Sequence, residues 1–257
     1  MHHNRPYVLS VAGFDPSAGA GILADIKTFE SNNVYGLGAV TALTYQNDRH
    51  FEAVEWTDIE KIIRQIDVLL KRFHVRYVKI GIIENMQVLK QLVAYLHQAI
   101  QNPIVVFDPI LQATAGFDFH RFDGNEFENY LDGIYCFTPN IPEVNGIFGE
   151  NDLHEKLLKI SNKVNVYLKG GHSTGSQTVT DLLFTNGQII SFDQQRIANG
   201  AKHGSGCVLS SALTSQLALG NGLADAARRA QSYTHNFLKS NESLLGFHQN
   251  AKTYETN

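Results

Sequence analysis

Short apolar, β-prone segments alternate along most of this chain with segments whose apolar residues recur at helical spacing. That alternation confines the fold to an α/β class, a mostly parallel central sheet with helices on both faces. Strands are expected at residues 7–12, 36–44, 77–80, 104–107, 134–137 and 164–168. Helices are expected at residues 22–30, 57–72 and 86–100, from Pro142 onward, and at 206–219 and 223–239. In the second helix, Ile59, Ile62, Ile63, Ile66, Leu69 and Leu70 fall on one stripe behind Thr57 as N-cap, the mark of a helix covering a sheet. Residues 179–184 and 188–192 flank Thr185-Asn186-Gly187 and read as a hairpin.

Composition narrows the class further. The chain has 257 residues, 43% hydrophobic and 18% charged, which suits one large soluble α/β domain over residues 1–257. A net charge of −4 argues against a nucleic-acid face, so an anionic substrate must be met by local features. No apolar run reaches the roughly 18 residues of a membrane span, and the N-terminus enters a strand without a signal-like core, so a cytoplasmic protein is expected. Cys136 and Cys207 are far apart with no paired Cys/His spacing, which indicates neither a disulfide framework nor a zinc site. Residues 240–257 form a polar tail with no assigned role.

Open parallel sheets bind ligands beyond the carboxyl ends of their strands, and the polar residues collect there: Asp15, Gln46, Asp108, Asn140 with Glu143, and Lys169. Each alone has a plain structural alternative. Asp108 could cap a loop, Glu143 could complement a helix dipole, Gln46 could be surface filler, and Lys169 a solvated strand end. Lys169 nonetheless ends the apolar run Val166-Tyr167-Leu168, where a cation has no structural task. His203-Gly204-Ser205-Gly206-Cys207 precedes a helix of small apolar residues, so its backbone amides at the positive helix end form an anion site. The same field would favour a Cys207 thiolate. Gly19-Ala20-Gly21-Ile22-Leu23-Ala24 matches a loose dinucleotide fingerprint, but residues 13–19 make too long a loop and residues 41–45 hold no acid. No glycine-rich segment ends in Gly-Lys-Ser/Thr, which argues against a P-loop.

The sequence resembles the hydroxymethylpyrimidine and phosphomethylpyrimidine kinases of thiamine biosynthesis, a pyridoxal-kinase-related branch of the ribokinase-like superfamily. The resemblance rests on an ordered set covering nearly the whole chain: residues 12–21 and 24–29, Thr41-Ala42-Leu43-Thr44-Tyr45-Gln46-Asn47, Lys79-Ile80-Gly81, Phe107-Asp108-Pro109, Thr138-Pro139-Asn140 with Pro142-Glu143, Lys169-Gly170-Gly171-His172, and residues 203–207. It implies a three-layer sandwich, an ATP- and Mg²⁺-dependent kinase, a homodimer, and an aminopyrimidine alcohol as acceptor.

The resemblance also implies roles. Gly204, Ser205 and Gly206 would form the anion hole and Cys207 the base or an element of that hole, where most ribokinase relatives carry aspartate. Lys169 and Asn140 would meet the nucleotide, and Asp108 and Glu143 would hold Mg²⁺. Gln46, whose carboxamide donates and accepts in one plane, would read the aminopyrimidine. Asp25, which interrupts Ile22-Leu23-Ala24, would line the same pocket, with Gly13 and Thr44 approaching through their backbones. Departures are Phe14, Ala18 for a common glycine, Ser205 for threonine, and residues 111–117. A pyridoxal kinase and a non-catalytic pyrimidine sensor are the competing functions.

Overall fold

The computed structural model describes residues 5–111, 127–171, 177–198 and 200–249. One nine-stranded sheet runs through them. Its strands are β1 (Tyr7–Phe14), β2 (Tyr35–Gln46), β3 (Phe51–Trp56), β4 (Val75–Ile80), β5 (Ile104–Phe107), β6 (Cys136–Phe137), β7 (Asn165–Leu168), β8 (Thr178–Thr185) and β9 (Gln188–Gln195). The order is β3-β2-β1-β4-β5-β6-β7-β8-β9. The six strands from β2 through β7 in that order are parallel, and β3, β8 and β9 add antiparallel edges.

Seven α-helices are described: α1 (Gly21–Ser31), α2 (Ile59–Leu70), α3 (Met86–Ala99), α4 (Ile141–Phe148), α5 (Leu153–Ile160), α6 (Ser205–Ala218) and α7 (Leu223–Lys239). The period of two along each strand sorts them into two outer layers. Leu9, Val11, Val78, Ile80, Val105, Phe107, Val166 and Leu168 face a core shared with α2 to α5. Val106, Cys136 and Tyr167 face the opposite way, onto α6 and α7, while Val8 meets Phe29 of α1. The result is the expected three-layer sandwich. Phe107 and Phe137 stack at 6.0 Å in the first core, and full burial of such a side chain contributes roughly 1.5–3 kcal/mol.

Two elements escape the sequence reading. β3 follows the polar run Asn47-Asp48-Arg49-His50, which reads as loop, and carries Glu52 and Glu55 as an edge strand can. α5 has only eight residues, too short a window for a clear helical period. α2 begins at Ile59 with Asp58 as its N-cap residue in place of Thr57. The hairpin forms as expected, with Asn186 and Gly187 both at positive φ. His172 and residues 112–117, on which part of the resemblance and one departure fall, lie outside the described residues. Among the described residues no helix is long and apolar enough to cross a membrane.

Candidate active site

The carboxyl ends of β1, β2, β5, β6 and β7 open on one cleft of about 860 Å³. Ten strand-end and loop residues singled out in the sequence line it together: Gly13, Thr44, Gln46, Asp108, Asn140, Glu143, Lys169, Gly204, Ser205 and Gly206, with Cys207 beside them. Parallel pairing explains the convergence, because each strand delivers the residue after its last apolar position to the same edge. An isolated parallel bridge between Asn140 and Lys169, with Lys169 N–H donating to Pro139 O at 2.8 Å, continues the β6–β7 register into the cleft.

The anion site is built by two glycines that no other residue could replace without displacement. Gly204, the N-cap of α6, has φ +72°, and a Cβ there would lie 2.1 Å from Gly19 O and 2.7 Å from Ala20 Cα. Gly21 opens α1 at φ +58°, with a Cβ position 2.2 Å from Gly13 O. The two loops therefore touch backbone to backbone. The first bond of α6 with full helical spacing runs from Val208 N–H to Gly204 O at 3.0 Å. The amides of Gly206 and Cys207 precede it and are donors that a helix start leaves without an intrahelical partner.

Cys207 does not have the character expected from its helix position. It is buried, and burial pushes its thiol up to about 11 even though Lys79 and a bond from the Gly21 amide pull the other way. The dipole of one helix start is outweighed by loss of solvent, so the side chain is a neutral thiol at neutral pH. Cys136 is also buried and likewise pushed up, to about 12.

Facing the anion site is a charged cluster. Lys169 Nζ donates to Asp108 Oδ1 at 2.7 Å and lies 3.8 Å from Glu143 Oε2. Asp108 also accepts from Ser210 Oγ at 3.1 Å. Burial, the largest influence on Asp108, would raise its pKa, but the ammoniums of Lys169 and Lys79 and these hydrogen bonds outweigh it and hold the carboxyl below its usual range. Glu143 caps α4 reciprocally with Asn140, each side chain accepting the other's backbone N–H at 2.7 and 2.8 Å. Burial pushes Glu143 up to about 7 despite Lys169, and the Asp108 charge adds to that rise. Two buried carboxylates share one ammonium here, and the negative charge left over fits a hydrated divalent cation brought in on phosphate oxygens.

Gln46 Nε2 donates to Thr44 Oγ1 at 2.8 Å, and that hydroxyl donates to Phe14 O at 2.8 Å. The amide is thereby oriented, with its carbonyl oxygen and second N–H left for a ligand.

Two of the residues singled out, Asp15 and Asp25, are buried and do not line the cleft. Asp25 does not face solvent either. Its carboxylate is fully buried, accepting from Lys79 Nζ at 2.9 and 3.0 Å, Ser10 Oγ at 2.6 Å and Ser211 Oγ at 2.7 Å. It holds α1 and α6 to the sheet beneath Cys207. Lys79 is missed by the sequence reading, although the signal was present, since it interrupts the apolar end of a strand just as Lys169 does. Ser210 and Ser211 are missed because small hydroxyls in a small-residue helix read as packing.

Comparison with known proteins adds the family. Residues 15–252 match the family model described as phosphomethylpyrimidine kinase. A hydroxymethylpyrimidine/phosphomethylpyrimidine kinase of Staphylococcus aureus (strain MSSA476) is 32% identical over 235 residues, 88% of this chain and 85% of that protein. The crystal structure of a phosphomethylpyrimidine kinase from Clostridium difficile 630 aligns with TM-score 0.72 at 31% identity, covering 90% of this chain and 99% of that one. A Staphylococcus aureus pyridoxal kinase solved in complex with AMP-PCP and pyridoxal aligns with TM-score 0.79 at 24% identity, covering 92% and 88%, and shows the shared ribokinase-like fold.

Proposed function

The chain belongs to the phosphomethylpyrimidine kinase family, and on that premise we propose that its cleft transfers the γ-phosphoryl group of Mg·ATP to the hydroxymethyl oxygen of 4-amino-5-hydroxymethyl-2-methylpyrimidine and then to the phosphate of the monophosphate. The observation that carries this reading is the closeness of the anion site to the charged cluster. A Cβ on Gly206 would lie 3.3 Å from Lys169 Nζ and 3.9 Å from Asp108 Oδ2. Donors, a cation and carboxylates thus surround one small volume, which is what phosphoryl transfer needs, since it depends on positioning and charge neutralisation.

Each group then has a task. The amides of Gly206 and Cys207, backed by the α6 dipole, bind the oxygens of the transferring group. Gly204 and Ser205 shape the turn that presents them. Lys169 neutralises phosphate charge as the nucleotide draws it from Asp108, and Asn140 fixes the loop on which Glu143 sits. Asp108 and Glu143 would hold Mg²⁺, directly or through its waters, and Mg²⁺ supplies neutralisation of the phosphate oxygens. Gln46 reads the aminopyrimidine edge against Thr44 and Gly13. Cys207 packs against the reacting group as a neutral thiol.

The same reading takes the chain as a single cytoplasmic domain working as a homodimer. Phe14, Leu43 and Tyr45, 36–47% exposed on β1 and β2, supply apolar surface for such an interface, and sedimentation velocity measures it. The deciding experiment incubates the protein with Mg·ATP and, separately, the pyrimidine alcohol, its monophosphate and pyridoxal, and follows products by mass. Conversion of the first two to mono- and diphosphate is expected. Dominant turnover of pyridoxal would make it a pyridoxal kinase, and tight binding without product would make it a sensor.

A further inference from the structure

The Asp108 carboxylate turns one oxygen to the sheet and the other to the anion site. Its Oδ1 accepts from Lys169 Nζ at 2.7 Å and from Thr138 Oγ1 at 3.3 Å, groups at the ends of β7 and β6. Its Oδ2 lies 3.9 Å from where a Cβ on Gly206 would stand, and it accepts from Ser210 Oγ at 3.1 Å. The terminal torsion of an aspartate is broad and two-fold, so hydrogen bonds set the orientation of its carboxylate. Of these three bonds, the one from Ser210 comes from α6, the helix whose first turn carries the anion-site amides.

The hydroxyls of α6 show that this bond is more than helix packing. Ser210, Ser211, Thr214 and Ser215 are all fully buried. Thr214 and Ser215 donate to the carbonyls of Ser210 and Ser211 at 2.8 Å each, the usual bond of a helical hydroxyl to the fourth residue before it. Ser210 has the same choice, with Gly206 O at 3.2 Å and Cys207 O at 3.1 Å. One hydroxyl carries one hydrogen, and a carboxylate is the stronger acceptor, so that hydrogen goes to Asp108. The bond matters most when the site is occupied. Once phosphate oxygens draw Lys169 from Oδ1, the bond from Ser210 at 3.1 Å is the shorter of the two that remain, against 3.3 Å from Thr138. Each carboxylate oxygen has two lone pairs, so Ser210 holds Oδ2 and leaves it one acceptor site.

We propose that Ser210 is a positioning residue of the kinase reaction, tying Asp108 to the start of α6 so that the carboxylate and the amides of Gly206 and Cys207 meet Mg·nucleotide as one rigid unit. The proposal rests on the kinase reading above. Its consequence is a coupling between the two halves of the site. With the tether, Asp108 is oriented before the nucleotide arrives, and binding does not have to restrict it. Without the tether, the carboxylate turns on its own torsion and must be ordered each time a cation is held there. Contacts of the nucleotide with Lys169 and the amides do not pass through Ser210, so binding without the cation is left as it was.

Calorimetry of ADP binding, once with Mg²⁺ and once with EDTA, tests this without turnover. Ser210→Ala raises helix propensity and adds no volume, so the variant is expected to fold. It should weaken ADP binding in Mg²⁺ about tenfold or more, the equivalent of one hydrogen bond to a charged group, and change the Kd in EDTA by less than about threefold. KM for Mg·ATP should rise by a similar factor while KM for the pyrimidine alcohol stays within about threefold. Ser215→Ala, which removes an equally buried hydroxyl bonded to Ser211 O of the same helix, should leave both Kd values unchanged. Should the alanine variant not fold, Ser210→Cys, close in volume and a weak donor, makes the same comparison. Equal weakening with and without Mg²⁺, or a Mg²⁺-dependent Kd within about threefold of wild type, would overturn the proposal. Wild-type protein that neither binds ADP more tightly with Mg²⁺ nor converts ATP to ADP with any of the three alcohols would instead remove the kinase reading itself.

Discussion

Lys79 Nζ and Asp25 Oδ2 are 2.9 Å apart, and neither side chain is exposed to solvent. The pair lies between the sheet and the two helices whose first turns meet at Cys207, because Ser211 of α6 and Ser10 of β1 complete the Asp25 carboxylate. Burial opposes a charged Lys79, but the Asp25 and Asp108 charges and the hydrogen bonds to Asp25 outweigh it and raise its pKa. Removing one partner strands the other charge in the interior. Lys79→Met is therefore expected to cost about 3–5 kcal/mol in urea unfolding, while Asp25→Asn/Lys79→Met together should recover much of that loss. A single-variant cost under about 1 kcal/mol would show that water reaches the pair.

On the proposed metal role, the protonation of Glu143 makes Mg·ATP binding depend on pH. Its folded pKa, about 7, lies above the ordinary carboxylate value of 4.5, so the folded state holds more protons than the unfolded state between those values. Stability contributed by this group falls as pH rises through that window, the reverse of the usual carboxylate case. Mg²⁺ needs the ionised form, so binding of Mg·ATP at pH 6 should release about one proton. Calorimetry in two buffers of different ionisation enthalpy measures it. Glu143→Gln should abolish the release, and removing Mg²⁺ with EDTA should do the same.

How much of this was legible before the structure depends on how far apart the interacting residues sit. Strand ends are local, so Asp108, Glu143, Lys169 and Gln46 announced themselves where apolar runs stopped. The glycine-rich starts of α1 and α6 were legible for the same reason. Asp25 stood out as an acid inside an apolar run, but its partner lies 54 residues away on another strand, and no local pattern pairs them. His203 and Asp15 are 188 residues apart. A helix dipole is visible in sequence while the depth of burial is not, so the raised pKa of the Cys207 thiol is not legible there.

Backbone conformation separates two small-residue positions in touching loops. Ala18 has φ +57°, a region that disfavours every residue with a Cβ. Ala18→Gly relieves roughly 1–2 kcal/mol of strain and costs about 0.4–1 kcal/mol through added unfolded-state entropy, for a net gain of about 0–1.6 kcal/mol in thermal unfolding. Gly204→Ala has the opposite sign, since its Cβ would lie 2.1 Å from Gly19 O. The loops must part and turn the amides away, and kcat should fall about 100-fold or more. Equal, small effects of the two changes would contradict the backbone contact.

The role proposed for Gln46 is substrate selectivity. Thr44 takes one of its amide hydrogens, so the group offered to substrate has a fixed orientation. Gln46→Ala should lower kcat/KM for the pyrimidine alcohol about 10- to 100-fold, the equivalent of one to two lost hydrogen bonds, with less effect on pyridoxal. Gln46→Glu should do no better, because a carboxylate accepts but cannot donate to a ring nitrogen. Equal losses on both alcohols would remove Gln46 from substrate readout.

Cys207 distinguishes a base from a wall of the anion site. A thiol held near pKa 11 is almost wholly protonated at pH 7, so its loss should remove packing and a weak acceptor for the Gly21 amide. Cys207→Ala is expected to lower kcat by about tenfold, more than it raises KM, because the amides it steadies act on the transition state. The acid limb of kcat should survive. Thiolate absorbance near 240 nm, followed from pH 7 to 11 in wild type against Cys207→Ala, should stay absent until the alkaline end. A thiolate that forms at neutral pH, together with an acid limb lost in Cys207→Ala, would return the proton to Cys207.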